Sequence, residues 1–281
     1  MGPGNVEVGL CQYELGSATS LDALLDRTES LFDRAGRADL YVLPELFVSD
    51  CLRTDGDAVA TLGPDGRDRL HAFLADAAAD RDAVVVGGSY NIVERGETYN
   101  RCPVAVPGRD VRTYDKANLI PEERRAGKRP GDGPLPVVEY GDVGFGVAVC
   151  YDVEFPAAVR SLAARGAEVV AVPSWTATEA GYQRVSRCAA ARAVENQLYV
   201  AQVSVVGARS DGDLTGTGRS AVFAPCDDVV GPHGTRLSLP RDEGTAATCS
   251  VDVDALRTSR EEAAVRPFAD GSRSEADESG T

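Results

Sequence analysis

The stretch "GFGVAVCYDVEFP", residues 144–156, contains a cysteine where a buried strand gives way to a helix. Its apolar run ends at Cys150, and the polar residues Tyr151 and Asp152 follow. Pro156 then stands where a helix could begin, because proline suits the first helical turn. A cysteine in this position is either a small hydrophobic core residue or a nucleophile held on a strand-to-helix turn.

Four other stretches share the short, valine-rich character of this strand. They are "ADLYVLPE" (38–45), "DAVVVGGSYN" (82–91), "AEVVAVPSW" (167–175) and "LYVAQVS" (198–204). Continuous apolar runs of this length are typical of strands that are covered on both faces. The sequence therefore predicts a sheet or sheets buried between other layers.

Helical patterns lie between several of these runs, in residues 19–36, 155–166 and 180–197. In the first of them, Thr19 and Asp22 have the spacing of a capping box, and Gly36 is a stop signal. The alternation of strands and helices predicts an α/β protein. No repeat or linker divides the chain, so we expect one domain over residues 5–265. The small, acidic residues 268–281 are expected to form a disordered tail.

Composition limits the class of protein and its partners. The chain has 281 residues, 43% hydrophobic and 26% charged, which is ordinary for a globular protein with a full core. It lacks the roughly 18 continuous apolar residues of a membrane span, and its first residues do not resemble a signal peptide. We therefore expect a cytoplasmic protein without a membrane partner. A net charge of −15 argues against nucleic-acid binding.

Cysteine, histidine and lysine usage limits the chemistry. The seven cysteines include no closely spaced C-x-x-C pair, so we expect no metal site. The only histidines are His71, in a helical pattern, and His233, in a turn, and neither is a promising partner for a nucleophile. Lysine also occurs only twice, as Lys116 and Lys128, although 29 residues are lysine or arginine. Each lysine is therefore conspicuous.

Three polar residues stand at the ends of predicted strands. Glu45 ends "YVLPE", Lys116 ends "VRTYDK" and Cys150 ends "GVAVC". Reactive groups of α/β folds gather at the carboxyl ends of strands, so we expect the three to converge. Together they supply a thiol nucleophile, a carboxylate base and an ammonium that stabilises an oxyanion and favours the thiolate. The backbone N–H of Tyr151 is a second candidate oxyanion donor.

These motifs resemble those of the carbon–nitrogen hydrolase, or nitrilase, superfamily. "LPELF" (43–47), "YDKANLIPEE" (114–123) and "CYDVEFP" (150–156) are similar to its three motifs in their expected order. The resemblance extends over roughly residues 6–258. Parts of residues 172–227 further resemble a poorly characterised branch, some members of which are fused to acetyltransferases.

The resemblance implies a four-layer α-β-β-α sandwich that cleaves a C–N bond other than a peptide bond. It implies Cys150 as the nucleophile that forms a thioester, Glu45 as general base and Lys116 as oxyanion stabiliser. A second glutamate is implied after the lysine, either Glu122 or Glu123, and we favour Glu123. The resemblance also implies a homodimer or larger homo-oligomer, with no cofactor and with water as the second substrate.

Two positions depart from the family pattern: Asn118 replaces its usual histidine, and Ala157 replaces its usual glutamate. Both departures bear on local geometry and substrate choice. Trp175 and Tyr182 are candidate substrate-binding residues, although Trp175 could equally cap the core and Tyr182 could be structural.

The expected substrate is a small-molecule amide. Hydrolysis of a nitrile or an N-carbamoyl compound and acyl transfer to an amine are alternatives that use the same cysteine. A catalytically silent binding module on the same fold is the non-enzyme alternative, and slow alkylation of Cys150 would favour it. The glycine-rich segments lack G-x-G-x-x-G between a strand and a helix, and they lack a P-loop, so nucleotide binding is not expected.

Overall fold

The computed structural model describes residues 4–16, 18–52, 59–209 and 214–271. Its strands are β1 (Asn5–Gln12), β2 (Glu14–Leu15), β3 (Leu40–Val42), β4 (Val84–Val86), β5 (Tyr90–Glu94), β6 (Glu97–Ala105), β7 (Arg112–Asp115), β8 (Val137–Tyr140), β9 (Val143–Val147), β10 (Val169–Ser174), β11 (Tyr199–Ser204), β12 (Val206–Ala208), β13 (Thr215–Gly216), β14 (Ala221–Phe223), β15 (Thr235–Ser238) and β16 (Thr245–Asp252). Its α-helices are α1 (Leu21–Ala35), α2 (Pro64–Arg81), α3 (Pro121–Arg125), α4 (Pro156–Ala164), α5 (Glu179–Asn196) and α6 (Val253–Glu262), and 3₁₀ segments span Phe47–Asp50 and Cys150–Glu154.

Two large sheets form the centre of the molecule. The first has the order β16-β1-β3-β4-β6-β5, with β7 paired to β6, and the second has the order β15-β14-β11-β10-β9-β8. The valine-rich strands are parallel neighbours, β1-β3-β4 in one sheet and β9-β10-β11 in the other. Strand β1 also pairs antiparallel with β16 along its whole length, from Asn5 opposite Asp252 to Gln12 opposite Thr245.

The side chains of β3 show how the layers are stacked. Leu40 and Val42 lie in a core that they share with Val170 of the second sheet, whereas Tyr41 lies in a separate core with Phe32 of α1. This alternation follows from the two-residue period of a strand. Helices α1 and α2 thus cover the first sheet, and α4 and α5 pack against the second. The expected four-layer α-β-β-α sandwich is confirmed.

Two local expectations need correction. Helix α1 is capped by Ser20, whose Oγ accepts from the Ala23 N–H at 3.2 Å, and not by Thr19; Gly36 ends the helix as expected. The expected disordered tail was to begin at residue 268, but residues 267–271 form a helical turn. Its aromatic residue Phe268 packs under the guanidinium groups of Arg160 and Arg260, which gives an otherwise polar segment an anchor.

The remainder of the predicted tail, 272–281, lies outside the described residues. None of the helices within the described ranges combines the length and the apolar character needed to cross a bilayer.

Candidate active site

Glu45, Lys116 and Cys150 converge at one end of the two sheets. Glu45 follows β3, Lys116 directly follows β7, and Cys150 opens the 3₁₀ segment after β9. Their side chains line one cavity of about 1020 Å³, and all three residues are at most 5% exposed. Lys116 Nζ lies 2.8 Å from Glu45 Oε1, and the charge of Glu45 acts on the Cys150 thiol. The structure thus brings together the three residues that the strand ends predicted.

Cys150 is presented by a sharp turn. Its φ angle is +46°, in the left-handed region that β-carbons disfavour, and the chain then enters a 3₁₀ turn. Backbone strain of this kind persists where the surrounding structure enforces it. Tyr151 is the second residue of the 3₁₀ segment, so the segment itself offers no acceptor for its backbone N–H. That N–H is therefore suited to bind an oxyanion beside the sulfur.

The Glu45 carboxylate is held from three directions. Oε1 accepts from Lys116 Nζ and from Asn100 Nδ2 at 2.9 Å, and Oε2 accepts from the Trp175 N–H at 3.1 Å. Gly88 packs behind the loop that carries Glu45. A β-carbon on Gly88, whose φ is +63°, would lie 2.2 Å from the Pro44 carbonyl oxygen, so this position requires glycine.

A second buried carboxylate, Glu123, lies on the other side of Lys116. Glu123 Oε2 accepts from Lys116 Nζ at 2.7 Å, while Oε1 accepts from Asn100 Nδ2 at 3.0 Å and from Lys128 Nζ at 3.1 Å. Glu122 instead points to the rim of the cavity and pairs with the exposed Arg125. Of the two candidate glutamates, Glu123 is the one that lies within the buried cluster.

The buried charges stabilise one another. Burial works to lower the pKa of Lys116, but the carboxylates of Glu45 and Glu123 outweigh it and hold this pKa above its ordinary value. Burial works to raise the pKa of Glu123, but Lys116 and Lys128 outweigh it and hold this pKa below its ordinary value. Lys116 therefore stays protonated and Glu123 stays ionised at neutral pH.

Burial and two neighbouring charges set the protonation state of Cys150. Burial raises the pKa of the thiol well above its ordinary value, and the charge of Glu45 raises it further. Lys116 acts in the expected direction, lowering this pKa, but it is outweighed. Cys150 is therefore a thiol at neutral pH, so a nucleophilic role would require a base that takes its proton. Glu45 is the adjacent group that can accept that proton.

Asp152 connects the cysteine turn to the lysine loop. Its carboxylate accepts from Tyr114 Oη at 2.6 Å, from the Asn118 N–H at 2.8 Å and from the Val149 N–H at 3.1 Å. Asn118 Nδ2 adds a fourth hydrogen bond, at 2.9 Å. The residue that replaces the family's usual histidine is thus a donor to this carboxylate, so the departure is accommodated locally.

Trp175 and Tyr182, the two predicted substrate-binding residues, lie in different environments. Trp175 lines the cavity, where its carbonyl oxygen lies 3.6 Å from Cys150 Sγ and its ring nitrogen donates to the Thr215 carbonyl. Tyr182 is buried near Gly218 and is not part of the cavity lining. Tyr182 is on the inward face of α5, whereas Arg184 of the same helix lines the cavity.

Arg184 forms an ion pair at the cavity wall. Its Nε lies 2.9 and 2.7 Å from the two carboxylate oxygens of Glu154, the last residue of the 3₁₀ segment that begins at Cys150.

Within the described ranges, no group of three or more histidine, cysteine, aspartate and glutamate side chains is arranged to hold a metal ion.

Asn100, Lys128 and Asp152 are site residues that the sequence reasoning did not assign. Asn100 lies inside β6 and Lys128 in a loop, and their relation to Glu123 exists only after the chain has folded. Asp152 was visible in the sequence as a polar residue after the apolar run, and its complete burial is a property of the fold. The chain contains only two lysines, and this scarcity was the signal from which Lys128 could have been assigned.

A family model described as carbon–nitrogen hydrolase matches residues 7–260. The chain belongs to this family. An (R)-stereoselective amidase from Pseudomonas sp is 34% identical over 227 residues, which cover 80% of this chain and 77% of the amidase. The probable hydrolase YhcX from Bacillus subtilis (strain 168) is 27% identical over 277 residues. That match covers 95% of this chain, which spans about half the length of YhcX (54%).

Solved structures of an amidase from Nesterenkonia sp. AN1 have the same fold. A double mutant of that amidase, in which a glutamate and a cysteine are replaced, was solved with acrylamide. It has a TM-score of 0.74 and 27% identity, and the match covers 93% of this chain and 97% of the amidase. The cluster of Glu45, Lys116 and Cys150 thus lies in a carbon–nitrogen hydrolase domain whose relatives include amidases.

Proposed function

We propose that the chain hydrolyses the amide bond of a small molecule through a thioester on Cys150. The observation that carries this proposal is the Lys116 ammonium, which is shared between two buried carboxylates beside a thiol in one cavity. The similarity to amidases supports the choice of an amide over other carbon–nitrogen bonds.

In the first half of the reaction, Cys150 Sγ attacks the amide carbon while its proton passes to the Glu45 carboxylate. The carbonyl oxygen becomes an oxyanion, which Lys116 Nζ and the Tyr151 N–H stabilise. When this intermediate collapses, the C–N bond breaks and Glu45 returns the proton to the departing amine or ammonia. The acyl group remains on sulfur as a thioester.

In the second half, water replaces the amine. Glu45 takes a proton from the water as its oxygen attacks the thioester carbon, and the same two donors stabilise the second oxyanion. The C–S bond then breaks, the acid leaves, and Glu45 returns the proton to the sulfur. Glu45 serves as base and acid in turn because it lies within reach of both the sulfur and the cavity.

The assembly and location of the protein are part of this proposal. The apolar side chains of Phe155, at the start of α4, and Val194, on α5, are more than one third exposed, which supports pairing of two copies through these helices. All seven cysteines are free thiols, which suits a reducing compartment, and we place the protein in the cytoplasm. Light scattering, which measures the molar mass in solution, tests the homodimer. A monomer at micromolar concentration would contradict it.

The experiment that tests the reaction measures ammonia release from a panel of aliphatic amides, nitriles and N-carbamoyl compounds. Intact-mass spectrometry of the quenched enzyme is run in parallel. We expect turnover of amides and an acyl adduct on Cys150 that is absent from Cys150→Ala. Turnover of nitriles alone would favour the nitrilase alternative, and new amides formed with added amines would favour acyl transfer. No adduct and no turnover, with Cys150 inert to alkylation, would favour a silent binding module.

A further inference from the structure

Both lysines of the chain bind the same carboxylate. Lys116 Nζ donates to Glu123 Oε2 at 2.7 Å, and Lys128 Nζ donates to Glu123 Oε1 at 3.1 Å. Every other basic residue among the 29 is an arginine. Because the chain otherwise uses arginine, the use of lysine at these two places indicates a requirement for a compact ammonium in the cluster.

The backbone fixes the position of Lys128. Its N–H donates to the Glu123 carbonyl at 3.0 Å, and the following residue, Arg129, donates its N–H to the Thr98 carbonyl at 2.8 Å. The Lys128 side chain is only 6% exposed. A buried ammonium held in this way cannot turn to solvent, so it must be neutralised by the carboxylate that it contacts.

The charges of the cluster balance only when Lys128 is included. Glu45 and Glu123 contribute two negative charges, and Lys116 contributes one positive charge. The second positive charge, on Lys128, binds the Glu123 oxygen that Lys116 does not use. Without it, Glu123 would attract Lys116 more strongly, and the cluster of Glu45, Glu123 and Lys116 would carry a net negative charge.

We propose that Lys128 is a positioning residue for the chemistry at Cys150. It neutralises and orients Glu123 so that the Lys116 ammonium stays between Glu45 and Glu123, available to the oxyanion. This inference rests on the proposed function for its role in turnover, but its effect on the thiol can be measured without a substrate.

The pH dependence of the thiol depends on the charged groups that surround it. These are Glu45 after β3, Lys116 after β7, Glu123 on α3, Asp152 and Glu154 in the 3₁₀ segment that begins at Cys150, and Arg184 on α5, which pairs with Glu154. Lys128 contacts Glu123 among these groups, so it acts on Cys150 through that carboxylate and through Lys116. Its removal leaves a negative charge uncompensated, which disfavours the thiolate.

The test is the rate of iodoacetamide alkylation at Cys150 as a function of pH, quantified by peptide mass spectrometry. For Lys128→Met we expect the midpoint to move up by roughly one pH unit, with a rate about ten-fold lower at neutral pH. Lys128→Arg restores the charge but not the compact ammonium, so its midpoint should lie between those of Lys128→Met and the wild type. The matched control Arg129→Gln removes a neighbouring, exposed cation and leaves the midpoint unchanged. An unchanged profile in folded Lys128→Met, or an equal shift in Arg129→Gln, overturns the proposal.

A double-mutant cycle with Glu123→Gln covers the case in which Lys128→Met does not fold. Glu123→Gln combined with Lys128→Met contains no buried unpaired charge at this position and should fold. If Lys128 acts by neutralising Glu123, removing both charges together leaves the alkylation midpoint near that of the wild type, and an upward shift of about one pH unit overturns the proposal. If Lys128→Met shifts the alkylation profile as expected but the wild type turns over no amide, the proposed function is contradicted and this inference stands. Amide turnover by the wild type together with an unchanged alkylation profile in Lys128→Met would support the proposed function and overturn this inference.

Discussion

Lys116 Nζ lies 2.8 Å from Glu45 Oε1, and both residues are almost completely buried. Two charges removed from water in this way are tolerated only because each neutralises the other and because further hydrogen bonds complete the cluster. The pair therefore contributes to the stability of the fold. In the proposed reaction, the ammonium that holds Glu45 is also the one offered to the oxyanion.

Replacing Lys116 is expected to affect both properties. Lys116→Met keeps a similar unbranched stem but leaves Glu45 and Glu123 without their shared cation. We expect kcat to fall by about 10²- to 10³-fold, as for loss of an oxyanion donor, and the free energy of unfolding to fall by about 3–5 kcal/mol. Steady-state kinetics and urea unfolding measure the two effects. A variant with wild-type kcat would show that Lys116 does not stabilise the oxyanion.

Tyr114→Phe tests the Asp152 connection. The variant removes the 2.6 Å hydrogen bond to a buried carboxylate, as well as the acceptor of the Ala117 N–H. We expect a loss of about 1–3 kcal/mol in the free energy of unfolding, measured by thermal or urea denaturation. Tyr140→Phe is the matched control, because the Tyr140 hydroxyl bonds Asp82 near the surface, and we expect a change below about 0.5 kcal/mol. Equal losses in the two variants would argue against a special role for Asp152.

Glu123 should give stability a defined dependence on pH. Its pKa lies below the ordinary value of 4.5 in the folded protein, so the unfolded chain takes up a proton first as the pH falls. The stabilisation is fully present above pH 4.5 and is lost as the pH falls from there towards the folded-state pKa. In urea unfolding between pH 3 and 7, the wild type should therefore lose stability more steeply below pH 4.5 than Glu123→Gln does. Parallel curves would show that Glu123 is not held ionised.

Gly88→Ala tests the packing behind Glu45. The added methyl group would meet the Pro44 carbonyl at 2.2 Å, and the residue already has a positive φ angle. Gly96→Ala is a close control, because Gly96 also has a positive φ, of 82°, but nothing lies within 4 Å of the position that its methyl group would take. We expect Gly96→Ala to cost about 1 kcal/mol and Gly88→Ala clearly more, with reduced turnover because the Glu45 loop must move. Similar stabilities for the two variants would contradict the steric argument.

The sequence predicted those parts of the fold and the site that leave a local pattern. The valine-rich runs predicted β3, β4, β9, β10 and β11, and the polar residues that end such runs pointed to Glu45 and Cys150. Strand β6, "ETYNRCPVA", was missed because polar residues and Pro103 interrupt its apolar character. Asn100 was missed together with this strand. Its amide binds Glu45 and Glu123 only because β6 pairs with β5 and β7.

Other features depend on burial, charge and packing in the folded chain, which a sequence motif does not show. Lys116 was expected to favour the thiolate of Cys150 and does act in that direction, but burial and the charge of Glu45 raise the pKa of the thiol more strongly. Tyr182 was a candidate either for substrate binding or for a structural role, and it is buried on α5, outside the cavity lining. Trp175 contributes its backbone N–H and carbonyl to the cluster, a role that no side-chain pattern encodes.

The pairing of β1 with β16 has a consequence for biosynthesis. Residues 5–12 are made well before residues 245–252, which fill one edge of this strand. While the nascent polypeptide lacks residues 245–252, the sheet whose strands lead to Glu45 and Lys116 has an open edge next to its central strands. This sheet is therefore complete only after residue 252 has emerged from the ribosome.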